Sequence, residues 1–229
     1  MAANMQERVQ PNWRQNRGAW FTQEDYTRHF EQKKAALEKL LGPLSARVLR
    51  AQVPFEVGGT VDLYPFEQAL PGTAFATMEL IYPDGQGPQP NRSGAYELVA
   101  CTRLTPVPAP APLFAREAER SRTPYELMVA RIWRMLTAAA QLGFSTVIAP
   151  GDTAELPSGK NDVLSVLFDR FDQAAPLRVG KKKHHLLLCM QIFPSELRYA
   201  QTVSPSRLIS LLQEAGHYPY SDLDRDPVA

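Results

Sequence analysis

The chain reads as an α+β protein, a mixed and mainly antiparallel β-sheet flanked by α-helices. Three observations predict this. From Val48 to Cys101, short apolar stretches alternate with Gly- and Pro-rich turns, the signature of hairpin-linked strands. Two long segments, opening at Thr22 and Thr123, carry helix caps and helical spacing of apolar residues. Leu186 to Phe193 is an apolar run without alternation, as expected of a central strand covered on both faces.

The elements follow in order. Residues 1–20 are polar and carry Trp13 and Trp20, an arm that docks through its rings if it docks at all. A helix over Gln23 to Leu41 is capped by Thr22 with Asp25 at the third position, a variant of the capping box. Tyr26, Phe30, Leu37, Leu40 and Leu41 give it one apolar face, and Gly42-Pro43 ends it. This arm and helix form one unit, residues 1–44; residues 45–229 form the domain proper. Val61, Leu63 and Tyr64 mark a strand closed by Pro65, Phe75 to Tyr82 a second and Tyr96 to Cys101 a third. Pro83-Asp84-Gly85 is a turn by composition. Thr105 to Pro112 has four prolines in eight residues and is a stiff connector.

The central helix has a full capping box, with Thr123 as cap, Pro124 at the first position and Glu126 at the third. It is expected to end at Gly143 and to be mostly buried, since Arg131, Arg134, Thr137 and Gln141 form only a narrow polar stripe. Strands are expected at Thr146 to Ala149 and Val163 to Phe168, with a turn at Pro150-Gly151-Asp152-Thr153 between them. After the apolar run, Glu196 falls in a polar turn. A last helix starts with Ser204 as cap and Pro205 at its first position, and Gly216 lies past its end.

Composition narrows function. Lys+Arg number 25 and Asp+Glu 24, a balance unlike that of a dedicated nucleic-acid binder. Lys181-Lys182-Lys183 reads as a solvated loop. Cys101 and Cys189 lie in apolar runs and read as reduced core thiols. No secretory leader and no membrane-length apolar run is visible, which predicts a cytoplasmic protein.

Signals for chemistry do not accumulate. There is no Gly-x-Ser-x-Gly elbow, no phosphate loop and no metal-ligand spacing, so no catalytic residue, metal or cofactor is expected. His184 and His185 precede the buried run and can face opposite sides of the sheet. Glu97 stands inside an apolar strand: it either turns outward or needs a buried partner.

Four blocks together resemble the suppressor-of-fused domain. They are Gly94-Ala95-Tyr96-Glu97-Leu98-Val99; Tyr125-Glu126-Leu127-Met128 with Pro150-Gly151-Asp152-Thr153; Leu188 to Phe193 with Ser195-Glu196-Leu197; and Leu208 to Leu212 with Asp222-Leu223-Asp224-Arg225. They span roughly residues 45 to 228 in the family's order. The resemblance implies a suppressor-of-fused-like sheet and a binding role without catalysis. In animal members such a domain is one lobe of a clamp that holds a transcription-factor peptide as an added strand. Stand-alone bacterial members are thought to neutralise toxin domains, and this chain's length is similar to theirs. The clamp's peptide-facing acidic residue corresponds here to the loop of Asp84-Gly85.

Three functions are therefore expected, in this order. The first is an immunity or inhibitor protein that occludes a toxin domain; the second is a regulatory adaptor that binds an extended peptide by strand addition. The third is a hydrolase or transferase using Glu97, Asp152 and His185. The expected partner is a protein or peptide rather than nucleic acid or membrane. Tyr82, Asp84, Glu97, Asp152 and Glu196 are the candidate contact residues.

Overall fold

A computed structural model describes residues 22–85, 87–106, 122–159, 162–171 and 176–229. The arm with Trp13 and Trp20, and the Pro-rich connector from Val107 onward, lie outside the described residues.

The described elements are α1 (Gln23–Leu41), β1 (Tyr64–Phe66), β2 (Thr73–Ala76), β3 (Tyr96–Thr102), α2 (Pro124–Ser145), β4 (Thr153–Pro157), β5 (Val163–Arg170), β6 (Leu177–Val179), β7 (Lys182–Gln191), α3 (Pro194–Thr202) and α4 (Pro205–Glu214). The sheet order is β1-β2-β3-β7-β5-β4, with β6 pairing β7 alone. Every pairing is antiparallel except β3 with β7. The expected mixed, mainly antiparallel sheet is thus present, with a meander of β1, β2 and β3 on one side.

Helices cover both faces. On one, α1, α3 and α4 bring Leu37, Leu41, Leu197, Leu208 and Leu212 against Val99, Leu186, Leu188 and Met190. On the other, α2 sets Ile132, Met135, Leu136 and Ala139 against Tyr96, Leu98, Leu187 and Cys189. Strand alternation distributes consecutive residues between these two cores, so β7 is apolar throughout because it faces a helix layer on each side. Cys101 and Cys189 are buried and unbridged, and burial pushes both thiols up.

Local signals place the helices. Thr22 and Asp25 form a reciprocal capping box, as do Thr123 and Glu126, and the Ser204 side chain accepts from the Arg207 amide. Where tertiary contacts dominate, the expectations fail. The central helix runs past Gly143, where the chain lies so close to Tyr96 that a Cβ would sit 2.5 Å from its hydroxyl. Gly143 is therefore a close-approach residue inside the helix, not its terminator. No strand forms at Thr146 to Ala149; the strand begins at Thr153. Pro65 lies within β1 instead of closing the strand before it, in the outermost ladder, where its missing N–H is tolerated. Glu196 lies in α3 rather than in a turn, at its third position.

Candidate functional site

The five candidate contact residues do not converge. Glu97 on β3 is wholly buried, and its carboxylate accepts from Lys33 Nζ (2.7 Å), Thr77 Oγ1 (2.7 Å), Leu80 N (3.2 Å) and Ile81 N (3.0 Å). Lys33, reaching in from α1, spends its other two donors on the carbonyls of Met78 (2.9 Å) and Ile81 (2.7 Å). Both charges are therefore paired and fully hydrogen-bonded, the condition under which burial is tolerated. The same network explains why the second strand stops at Ala76. The backbone that was expected to continue it to Tyr82 folds around the Glu97 carboxylate and gives it two amides.

Glu196 is a second closed carboxylate. Arg225 grips it through two bonds (2.6 and 2.9 Å), and the Phe193 and Val228 amides donate at 2.9 Å each. Burial alone raises its pKa; the guanidinium and the two amides outweigh that and hold it below the ordinary value. With zero exposure, neither Glu97 nor Glu196 presents a surface to a partner. Their role is to lock α1 and the C-terminal tail onto the sheet.

Tyr82 and Asp84 share the expected turn, closed by Gly85 N donating to Tyr82 O at 2.8 Å, with Gly85 at φ +83°. Lys182 Nζ donates to the Asp84 carbonyl at 2.7 Å, so the turn is fastened to the start of β7. The Asp152 carboxylate accepts from Ala149 N at 2.7 Å and shapes the bend into β4.

The hydrolase arrangement is not assembled. Glu97 faces α1, whereas His185 stands on the α2 face beside Tyr96, with ring centroids 5.6 Å apart. Burial, with help from Arg170, pushes the His185 pKa down to about 4. His184 lies on the Glu97 side. Among the described residues, no cluster of His, Cys, Asp and Glu is placed to hold a metal ion.

What does emerge is a difference between the two sheet edges. The β1 edge is covered: Leu49 and Leu63 exchange backbone bonds at 3.0 Å, and Ser45 N donates to Pro65 O at 2.9 Å. Among the described residues, none pairs with the outer side of β4. Phe168 N donates to Asp152 O and Ser158 N to Asp162 O, both at 2.8 Å, so even-numbered residues of β4 bond to β5. Ser165, opposite Glu155, directs its carbonyl the other way, to Ile192 N at 2.9 Å. By that alternation the amides and carbonyls of Thr153 and Glu155 point away from the sheet, and Glu155 is exposed. Reading the sequence missed β4, although Thr153-Ala154-Glu155-Leu156-Pro157 alternates polar and apolar residues up to a proline.

No family model and no curated protein matches the chain. Solved structures do. A crystal structure of a Sufu–Fu complex superposes at a TM-score of 0.55 with 13% identity, over 89% of this chain and 92% of that one. A crystal structure of Drosophila Suppressor of Fused gives 0.48 with 13% identity, over 81% of this chain and 46% of that one, so less than half of the fly chain is spanned. The chain therefore has a suppressor-of-fused-like fold.

Proposed function

We propose that this chain is a cytoplasmic, non-catalytic protein-binding module whose partner adds an extended strand to β4. The outer edge of β4 carries the reading: backbone groups of Thr153 and Glu155, unpaired among the described residues, offer a partner main-chain hydrogen bonds, while alternate side chains set specificity. The rest of the molecule is consistent with a rigid platform. Its two buried carboxylates are consumed in structural pairs, and its histidines are not joined to them for catalysis. A similar fold is found in a complex with another protein, which supports binding as the function. No helix among the described residues is long and apolar enough to cross a membrane.

Within that function we place the chain as an immunity or inhibitor protein, which needs a fixed complementary surface and no turnover. The test has two stages. Affinity capture from the native cell identifies the partner, and capture is then repeated with Glu155→Pro, which removes an outward amide. Loss of the partner is expected; undiminished capture removes β4 from the site. If the partner is a toxin domain, the wild-type chain should restore growth to cells producing it and the variant should not. An endogenous regulator as partner would instead assign the adaptor role.

A further inference from the structure

Two histidines lie in the seam between α1 and the sheet. His184 shares a face of β7 with Leu186 and Leu188, the face that α1 covers. It is only 5% exposed, and its Nδ1 is buried with no hydrogen-bond partner among the described residues. Around it stand Lys33 and His29 of α1, Glu97 of β3 and Lys182 of its own strand. The apolar Leu177 lies opposite it on β6, and Lys182 ties this end of β7 to the turn of Asp84. His29, one turn before Lys33, bonds through Nε2 to Ile81 O at 2.9 Å. A carbonyl only accepts, so Nε2 carries the proton of the neutral ring and Nδ1 is the atom that acid charges.

The seam holds neutral rings and has no place for charged ones. Glu97 has no site left for a further donor. Its Oε1 accepts from Lys33 Nζ and the Ile81 amide, and its Oε2 from Thr77 Oγ1 and the Leu80 amide. Ile81 O is likewise filled, by Lys33 and His29. A charged His184 is therefore a buried donor without an acceptor, close to the Lys33 ammonium. Charging His29 sets it against Lys33 on the carbonyl that both share. Burial, with Lys33 adding to it, accordingly holds both imidazoles below the ordinary value of 6.5.

We propose that His29 and His184 make the docking of α1 an acid-sensitive latch, closed at neutral pH and opened locally on mild acidification. Opening is local because α1 takes part in no strand pairing, so it lifts from the sheet while the ladder stays intact. Lifting returns both rings to water, where each takes up a proton readily. The folded-state values lie below the unfolded one. The histidines' contribution to docking is thus complete above about 6.5 and is lost as pH falls below it. The latch is independent of what β4 binds.

The test is amide hydrogen exchange of the full chain at about pH 7.5 and about pH 5, corrected for the intrinsic exchange rate. The readout is the protection of α1 relative to α2, in which effects common to the whole fold cancel. His185, on the α2 face and held down to about 4, stays largely neutral in this range. Relative protection of α1 should fall about tenfold or more in acid, since one pKa unit on one histidine is a factor of about ten. In His184→Gln combined with His29→Gln the fall should vanish, with α1 protection at the higher pH within about threefold of the unsubstituted chain. Glutamine at position 29 keeps a donor for Ile81 O. Should that variant not fold, imidazole NMR titration of the unsubstituted chain decides. Both rings should titrate below 6.5. A His184 that titrates at or above that value overturns the latch. So does equal loss of protection in α1 and α2, or a fall that survives the double substitution.

Discussion

The two sides of the sheet solve the same problem in opposite ways. Beyond β1, residues 44–49 lie across the outer strand and bond to it, and β1 itself contains a proline. Around it, polar groups are tied inward. Arg50 and the Ala51 amide bond to Asp62 at 2.5 and 2.8 Å, the Trp133 indole donates to Val61 O at 2.5 Å, and Lys33 pins α1 to Glu97. Beyond β4 no described segment covers the edge, and its exposed Glu155 is the kind of charged residue that keeps a free edge from aggregating. One side is closed by the chain itself; the other has no cover among the described residues. The lesson is that exposed backbone groups, rather than exposed charges, set the proposed binding side apart.

If that contrast is right, substitutions on the closed side change stability and those on the open side change binding. Lys33→Met should have the largest effect, a loss of about 3–5 kcal/mol in a urea melt, because the Glu97 carboxylate is left buried without its counter-charge. A loss below about 1 kcal/mol would mean that the pair does not hold α1 to the sheet. Trp133→Ala should cost about 3 kcal/mol, by the same measurement, through lost packing and an orphaned Val61 carbonyl. Glu155→Pro reverses the pattern. It should lower the affinity for the captured partner by tenfold or more, about 1.4 kcal/mol in calorimetry. It should shift stability by less than about 1 kcal/mol, since an edge strand tolerates proline.

A further effect concerns pH on the closed side. Glu79 accepts from the Asp62 amide at 3.0 Å, and burial beside Asp62 and Glu56 raises its pKa from 4.5 to about 8. Asp62 itself is bonded to Arg50 and, at 3.4 Å, to the Tyr64 hydroxyl. Between those two pKa values the folded protein holds a proton that the unfolded chain has released. Stability therefore falls as pH rises from about 4.5 to about 8 and levels off above that. Glu79→Gln should flatten this slope in unfolding curves taken across the window; an unchanged slope would show that Glu79 does not carry it.

How far the sequence can be read follows from how far its interactions reach. The caps of α1, α2 and α4 were legible because each is completed within three residues. The central place of β7 was legible because burial on both faces leaves no polar alternation. The ambiguity at Glu97 was legible too, but its answer was not, because Lys33 lies 64 residues away in sequence. Glu196 differs: Pro194 and the bond from Phe193 N place it in α3 by a local signal that the turn reading overlooks, and only its pairing with Arg225, 29 residues further on, is long-range.

By itself, then, the sequence determined the fold class, the capped helices and the buried central strand. These depend on local hydrogen bonds and on the period of apolar residues. Only the tertiary structure decided which edge stays open, where α2 ends and which carboxylates are closed off. Strand order and ion pairing are long-range choices: they join segments tens of residues apart, and no local pattern in the chain encodes the partner.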